Sequence, residues 1–93
     1  MNRYEMLYIL DSSLSDEQRE AAISKFESLV TSNEGKVEAI DKWGVKKLAY
    51  EINDRTDGFY VLMTFEAKPT LIAEIERIAG ITSEVIRRLI TKL

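Results

Sequence analysis

The spacing of apolar residues switches four times between two periods along the chain, and the order of these switches limits the folds it can adopt. Apolar residues that alternate with other residues indicate a strand, whereas apolar residues three and four positions apart indicate a helix. Helical spacing follows Ser15 and again follows Pro69. The strand-like segments are 3–10, 36–52, 59–67 and 85–93. The predicted order is therefore strand, helix, strand, strand, helix, strand.

Local signals predict where the helices begin and end. Ser15 and Gln18 have the spacing of a capping box, in which the serine hydroxyl and the glutamine side chain satisfy free backbone N–H groups. Pro69, the only proline, suits the first turn of the second helix, where its missing N–H costs nothing. Gly35 and Gly80 are predicted to end the helices, Gly35 in the left-handed conformation.

The second strand is long, and its apolar pattern changes along its length. Val37 and Ile40 cannot share one face of a regular strand, so the sequence predicts a bulge or a bend, most simply at Gly44. Residues 53–58 have turn chemistry, which predicts a hairpin to the third strand. In the last strand, Ile86 and Ile90 are predicted to share a face.

Right-handed crossovers place both predicted helices on one face of a four-stranded sheet. The predicted fold is α+β, a ferredoxin-like βαββαβ arrangement with an antiparallel sheet of order 4-1-3-2. A chain of 93 residues buries one modest core, so we expect a single domain spanning 1–93. The other sheet face should carry apolar residues beside arginines, which are Arg3, Leu7, Ile9, Tyr60, Leu62, Arg87 and Leu89. An uncovered apolar face indicates a surface for a partner.

The composition argues against catalysis. The sequence contains neither cysteine nor histidine, which removes disulfides, thiolate chemistry, and the commonest general base and metal ligand. The glycines are scattered, so they form no phosphate-binding loop. We therefore predict a protein that is not an enzyme and needs no cofactor. No apolar run approaches the roughly 20 residues that cross a bilayer, and no signal peptide is apparent, so the chain is expected to be cytoplasmic.

The charge balance does not by itself indicate a nucleic-acid-binding protein. The net charge is -3, whereas such proteins are usually basic. Two basic clusters nevertheless occur, at 42–47 and at 87–92. Because exposed charges act over about 8–10 Å at moderate salt, a local basic patch can still attract phosphate.

Several alternatives remain open from the residues alone. Gly58 to Met63 resembles the RNA-stacking motif of RNA-recognition domains, but Phe59 shares its parity with apolar neighbours, which favours a core position. Lys46 and Lys47 can also serve to discourage pairing at an exposed strand edge. Two other functional classes share this fold. One is a ligand-binding regulatory domain that dimerises through its sheet, and the other is a small hydrolase.

Residues 43–52, Trp-Gly-Val-Lys-Lys-Leu-Ala-Tyr-Glu-Ile, resemble the signature segment of the bacterial small-subunit ribosomal protein S6 family. The resemblance extends over the whole chain. It includes residues 3–5, 60–63 with 66–67, and 85–87 with Leu89.

The resemblance implies a structural protein of the small ribosomal subunit, bound to the central domain of the small-subunit ribosomal RNA together with ribosomal protein S18. The resemblance implies that four basic residues face the RNA: Arg3, Lys46, Lys47 and Arg87. It implies that three aromatic residues support this contact: Tyr4, Trp43 and Tyr50. The apolar positions expected to bind the partner protein are Leu7, Ile9, Tyr60, Leu62 and Leu89. Tyr4 shares its face with Met6 and Leu10, so packing beneath the helices is an equal alternative for its ring.

Overall fold

A computed structural model describes residues 1–52 and 55–93, and within them four strands form one antiparallel sheet. The elements are β1 (Asn2–Leu10), α1 (Asp16–Thr31), β2 (Lys36–Ile52), β3 (Arg55–Ala67), α2 (Pro69–Ile81) and β4 (Val85–Lys92). The strand order is β2-β3-β1-β4, which is the predicted order 4-1-3-2 seen from the opposite edge. The predicted ferredoxin-like fold is confirmed. Over the described ranges, the helices are too short or too polar to cross a membrane.

The core lies between the helices and one face of the sheet. Alternate residues of β1 and β3 point to this face, and the register places Met6 opposite Met63 and Tyr8 opposite Val61. The ring of Tyr8 packs 5.1 Å from that of Phe26 on α1, measured between centroids. The largest fully buried side chains are Tyr8, Phe26, Phe65, Met6, Leu10, Met63, Ile75, Val30 and Val61. Phe59 also belongs to this core, as its parity predicted, and not to an exposed stacking platform.

The start of α1 has the predicted capping box. The Ser15 hydroxyl accepts a hydrogen bond of 3.2 Å from the Gln18 backbone N–H. In return, Gln18 Oε1 accepts one of 3.0 Å from the Ser15 backbone N–H. Two N–H groups that the helix itself cannot satisfy are thereby paired.

The end of α1 differs from the prediction. Glu34, and not Gly35, takes the left-handed conformation, with φ of 66°. The Gly35 N–H then donates to the Val30 carbonyl at 2.8 Å, the bond expected after a left-handed residue. Gly35 is required for a different reason. A Cβ there would lie 2.6 Å from Val30 Cγ1 and 2.8 Å from the Glu66 carbonyl oxygen.

The end of α2 also differs from the prediction. Gly80 lies inside the helix, which continues to Ile81 and has Thr82 as its C-cap. The Thr82 hydroxyl donates to the Ile78 carbonyl at 2.6 Å and accepts from Lys25 Nζ at 3.1 Å. A side-chain hydroxyl therefore satisfies the helix end that glycine was expected to close.

The change of pattern in β2 begins earlier than predicted. Glu38 is an extra residue between Val37, opposite Phe65, and Ala39, opposite Thr64. This bulge lets Val37 and Ile40 both pack against the core. A second irregularity lies between Lys42 and Gly44, where Gly44 has φ of 89°. The bulge predicted at Gly44 is thus confirmed, but Glu38 accounts for the change of face.

β3, the second strand of the hairpin, starts within the predicted turn. Residues 55–58 already belong to β3, and residues 53 and 54 lie outside the described residues. Arg55 Nη1 lies 2.6 Å from Asp11 Oδ2, and the Ser12 hydroxyl donates to Asp57 Oδ1 at 2.7 Å. The β2–β3 hairpin is therefore attached to the segment between β1 and α1.

A bulge also changes one face assignment in β4. Arg87 pairs with Ile9 and Val85 pairs with Leu10, so Ile86 is the extra residue between them. Val85 and Ile90 pack against the core, whereas Ile86 Cδ1 lies 3.7 Å from the Cβ position of Gly58. The prediction that Ile86 and Ile90 share a face was wrong, because the extra residue shifts the alternation.

We predict that Gly35→Ala destabilises the fold by about 1–3 kcal/mol, the usual cost of overpacking. The new methyl group would meet the backbone carbonyl of Glu66, which cannot move without disturbing β3. Gly80→Ala is the matched control. Its Cβ would meet only the far end of Arg88, at 3.4 Å, and alanine favours a helix. Urea unfolding of both variants checks this, and equal stability of the two would contradict it.

Candidate interface on the open sheet face

The sheet face opposite α1 and α2, called the open face below, holds the residues that the sequence placed there. In the register, Leu7 lies between Leu62 on β3 and Leu89 on β4. Ile9 lies in the same way between Tyr60 and Arg87. Arg3, at the other end of β1, pairs with Glu66. The strand alternation therefore brings all seven predicted residues to one surface.

Five of these residues line a groove of about 220 Å³: Leu7, Ile9, Tyr60, Arg87 and Leu89. Ile9 is only 6 % exposed, whereas Leu89 is 59 % exposed. Ile9 thus forms part of the floor, and Leu89 presents an apolar side chain to solvent. A groove of this kind suits an apolar side chain of another molecule, bordered by the charge of Arg87.

Trp43 reaches the open face because of the irregularity in β2 between Lys42 and Gly44. Its ring lies 6.1 Å from that of Tyr60 between centroids, with the planes 8° apart, which is a stacked pair. The indole Nε1–H donates to Asp41 Oδ2 at 3.1 Å. Lys46 Nζ lies 5.9 Å from the centroid of the same indole ring. Trp43 is therefore a partly exposed aromatic surface, held by Tyr60 and Asp41, with a cation nearby.

Lys46 and Lys47 lie on opposite faces of the β2–β3 hairpin. Lys46 pairs with Gly58 and Lys47 with Asp57, and adjacent residues of a strand project to opposite faces. Gly58 shares its face with Tyr60, which puts Lys46 on the open face. Lys47 lies on the other side of the hairpin with Asp57. The structure therefore separates a pair that the sequence treated as one basic patch.

Arg87 and Tyr50 come together although they are 37 residues apart. Arg87 Nη1 donates a hydrogen bond to the Tyr50 hydroxyl, and its Cζ lies 5.6 Å from the centroid of the tyrosine ring. Tyr50 is 59 % exposed. In the described part of the chain, neither Arg87 nor Lys46 forms an ion pair with a carboxylate. The charge of both residues faces solvent without a neutralising partner there.

Arg3, by contrast, is bound to a carboxylate. Its Nη2 lies 2.9 Å from Glu38 Oε1, and its Nε lies 3.1 and 3.2 Å from the two Glu38 oxygens. These bonds raise the pKa of Arg3 and lower the pKa of Glu38, because each charged form stabilises the other. The sequence did not single out Glu38. The change of apolar parity after Val37 could have indicated a bulge at Glu38, but the prediction placed the bulge or bend at Gly44.

Tyr4 is not part of the exposed surface. It is 6 % exposed and belongs to the core, with its ring 5.8 Å from that of Phe65. Its expected role as an aromatic residue supporting RNA contact is therefore corrected to packing beneath the helices. The parity that Tyr4 shares with Met6 and Leu10 had made this the alternative.

The side chains described above set the chemistry that the open face presents. Across residues 1–52 and 55–93, the acidic side chains form no cluster of three that could hold a metal ion. Among the described residues, the face presents apolar contact, aromatic stacking and two cations without carboxylate partners, which suits recognition of a large molecule.

Comparison with known proteins identifies the family. The family model described as ribosomal protein S6 matches residues 3–92. The small ribosomal subunit protein bS6 of Desulfitobacterium hafniense (strain Y51) is 46 % identical over 92 residues, covering 99 % of this chain and 97 % of that protein. The protein of the same name from Clostridium acetobutylicum is 43 % identical over 93 residues, covering 100 % of this chain and 98 % of that protein.

A solved structure agrees with both. The crystal structure of 30S ribosomal protein S6 from Thermotoga maritima superposes with a TM-score of 0.93 and 25 % identity, covering 99 % of this chain and 87 % of that one. The hydrolase considered from the sequence is thereby excluded, since this is a family of structural proteins in the bacterial cytoplasm. The chain belongs to the ribosomal protein S6 family and is a structural, non-catalytic protein of the small ribosomal subunit.

Proposed function

We propose that the chain, acting as a single domain, binds the central domain of the small-subunit ribosomal RNA cooperatively with ribosomal protein S18 through its open face. The observation that carries the proposal is the combination on this face of an apolar groove with two cations that have no carboxylate partner among the described residues. The groove suits a protein, and the cations suit phosphate. One surface then serves both partners.

The RNA contact is assigned to the end of the open face formed by β2 and β4. Lys46 and Arg87 supply positive charge, and Arg87 can also bind a phosphate through two N–H groups. Trp43 and Tyr50 are partly exposed aromatic rings next to these cations. Exposed aromatic rings beside cations are typical of surfaces that bind unstacked bases and the RNA backbone.

The protein contact is assigned to the apolar groove. Leu7 and Leu62 lie side by side in the register, and Leu89 stands exposed beside them. Apolar side chains in this arrangement resemble the centre of a protein interface, which is depleted of charge. Arg87 borders the groove, so a protein seated there would lie directly beside the RNA contact.

The charge of the chain explains why two partners would be needed. The net charge is -3, and each phosphate that a protein neutralises adds only a modest term to the affinity. Two cations on an acidic protein therefore support weak binding. A second protein seated in the groove would add its own basic surface and complete the site.

The direct test is RNA binding with and without S18. We expect weak binding of a central-domain RNA fragment by this protein alone and much tighter binding when S18 is present, measured by filter binding or calorimetry. The physical reason is that the composite surface contacts more phosphates. Tight binding by the isolated protein, unchanged by S18, would contradict the cooperative proposal.

The separation of the two lysines gives a second prediction. Lys46→Ala should weaken RNA binding in the presence of S18 and reduce the salt slope of the affinity by about one unit, as for the loss of one phosphate contact. Lys47→Ala is the matched control, because it makes the same change one residue away on the other face. Both should change the free energy of unfolding by less than about 0.5 kcal/mol. Equal effects of the two on RNA binding would remove Lys46 from the interface.

The apolar groove gives a third prediction. Leu89→Glu should weaken binding of S18 by about tenfold or more, because it places a charge in an apolar contact. Ile81→Glu is the control, since Ile81 is even more exposed, at 71 %, but ends α2 on the other side of the sheet. Calorimetric titration with S18 measures both. An interface elsewhere would be indicated if Leu89→Glu bound S18 as well as Ile81→Glu does.

A further inference from the structure

The two ends of the open face differ in charge. Lys46 and Arg87 occupy one end, where the described residues supply no ion pair to either of them. At the other end, Arg3 is bound by Glu38 and paired in the register with Glu66. The basic residues predicted from the sequence as one RNA-binding set are therefore not equivalent.

The bulge at Glu38 in β2 creates the contact between Arg3 and Glu38. As the extra residue between Val37 and Ala39, Glu38 is the first point along β2 where it departs from regular pairing with β3. Its carboxylate reaches across β3 to Arg3 on β1 and bonds to both Nε and Nη2 of the guanidinium. This is the edge through which arginine also binds a phosphate with two parallel hydrogen bonds.

Resting on the function proposed above, we propose that Glu38 is an intramolecular competitor that occupies the phosphate-binding edge of Arg3 and so limits RNA binding to ligands that also engage the other end of the open face. A lone phosphate at Arg3 must displace a carboxylate that is already in place. An RNA that also contacts Lys46 and Arg87 brings additional binding energy and can displace it. Glu38 thereby disfavours weakly matched RNA, a form of selection against wrong partners.

The surroundings favour competition over a role for Glu38 in orienting Arg3 for RNA. Glu66 lies opposite Arg3, and Glu5 lies two residues along the same face of β1. A phosphate arriving at Arg3 would therefore meet several carboxylates within the range over which exposed charges act, alongside Lys36, which pairs with Glu66 from β2. The Arg3 side chain is 56 % exposed and that of Glu38 27 % exposed, so solvent can reach the pair and displacement requires no unfolding.

The test compares Glu38→Gln with Glu74→Gln. Both remove one negative charge from a carboxylate bound to an arginine, but Glu74 pairs with Arg77 on α2, away from the open face. With S18 present, Glu38→Gln should tighten binding of the central-domain RNA fragment by about two- to fivefold, the range for releasing an exposed ion pair. Glu74→Gln should leave it unchanged. In an Arg3→Ala background, Glu38→Gln should have no effect.

A second measurement tests the inference without ribosomal RNA. The side-chain Nε–H of Arg3 is followed by NMR during titration with inorganic phosphate, and its signal should respond at lower phosphate concentration in Glu38→Gln than in the unchanged protein. An equal response in the two proteins would overturn the competition. If no variant bound RNA even with S18, the proposed function would fail, while the phosphate titration would still decide the role of Glu38.

Three RNA-binding results would overturn the inference. Equal tightening by Glu38→Gln and Glu74→Gln would reduce the effect to net charge. Tightening that persisted without Arg3 would show that Glu38 acts on another group. Unchanged or weaker binding by Glu38→Gln would make Glu38 a residue that orients Arg3 or does not influence it.

Discussion

The alternation of side chains across the β-sheet is the constraint on which the rest of the structure depends. One face of the sheet packs against α1 and α2, so the parity of each strand residue decides whether it enters the core or the open face. Tyr4 and Arg3 are neighbours in sequence, yet one is buried and the other is exposed. A functional surface on this fold is therefore defined by register as much as by residue type.

Bulges change this alternation in β2, where Glu38 and Trp43 lie. Glu38 lets Val37 and Ile40 both pack against the core and brings its own carboxylate to Arg3. The bulge next to Gly44 brings Trp43 onto Tyr60. Such insertions re-aim a side chain without changing the fold. The candidate interface thus combines groove residues in regular register with Trp43 and Glu38, which bulges place on the same face.

The hairpin of β2 and β3 is tied to the rest of the chain on both sides. Arg55 and Ser12 connect it to the segment between β1 and α1, and Tyr50 connects it to Arg87 on β4. Polar contacts at partly exposed positions such as these each contribute modestly to stability. They link the hairpin to two other segments of the chain. The register of β2 with β3, and of β3 with β1, sets the position of Lys46 and Trp43 relative to the groove.

The sequence alone determined the order of the elements, the sheet order and the seven open-face residues that regular alternation places there. Strand and helix periods are local properties of the chain, and the handedness of crossovers leaves few arrangements for them. The capping box at Ser15 and the position of Pro69 were likewise readable, since both depend on neighbouring residues. The resemblance around residues 43–52 was also a property of the sequence, and it identified the family.

Only the tertiary structure decided which charges remain available. The separation of Lys46 from Lys47, the neutralisation of Arg3 by Glu38 and the contact between Tyr50 and Arg87 all depend on register and on residues distant in sequence. The need for glycine at position 35 depends on the approach of β3 to the end of α1. A sequence pattern reports the local period of the chain, whereas a bulge or an ion pair is settled by packing between segments that the pattern does not connect.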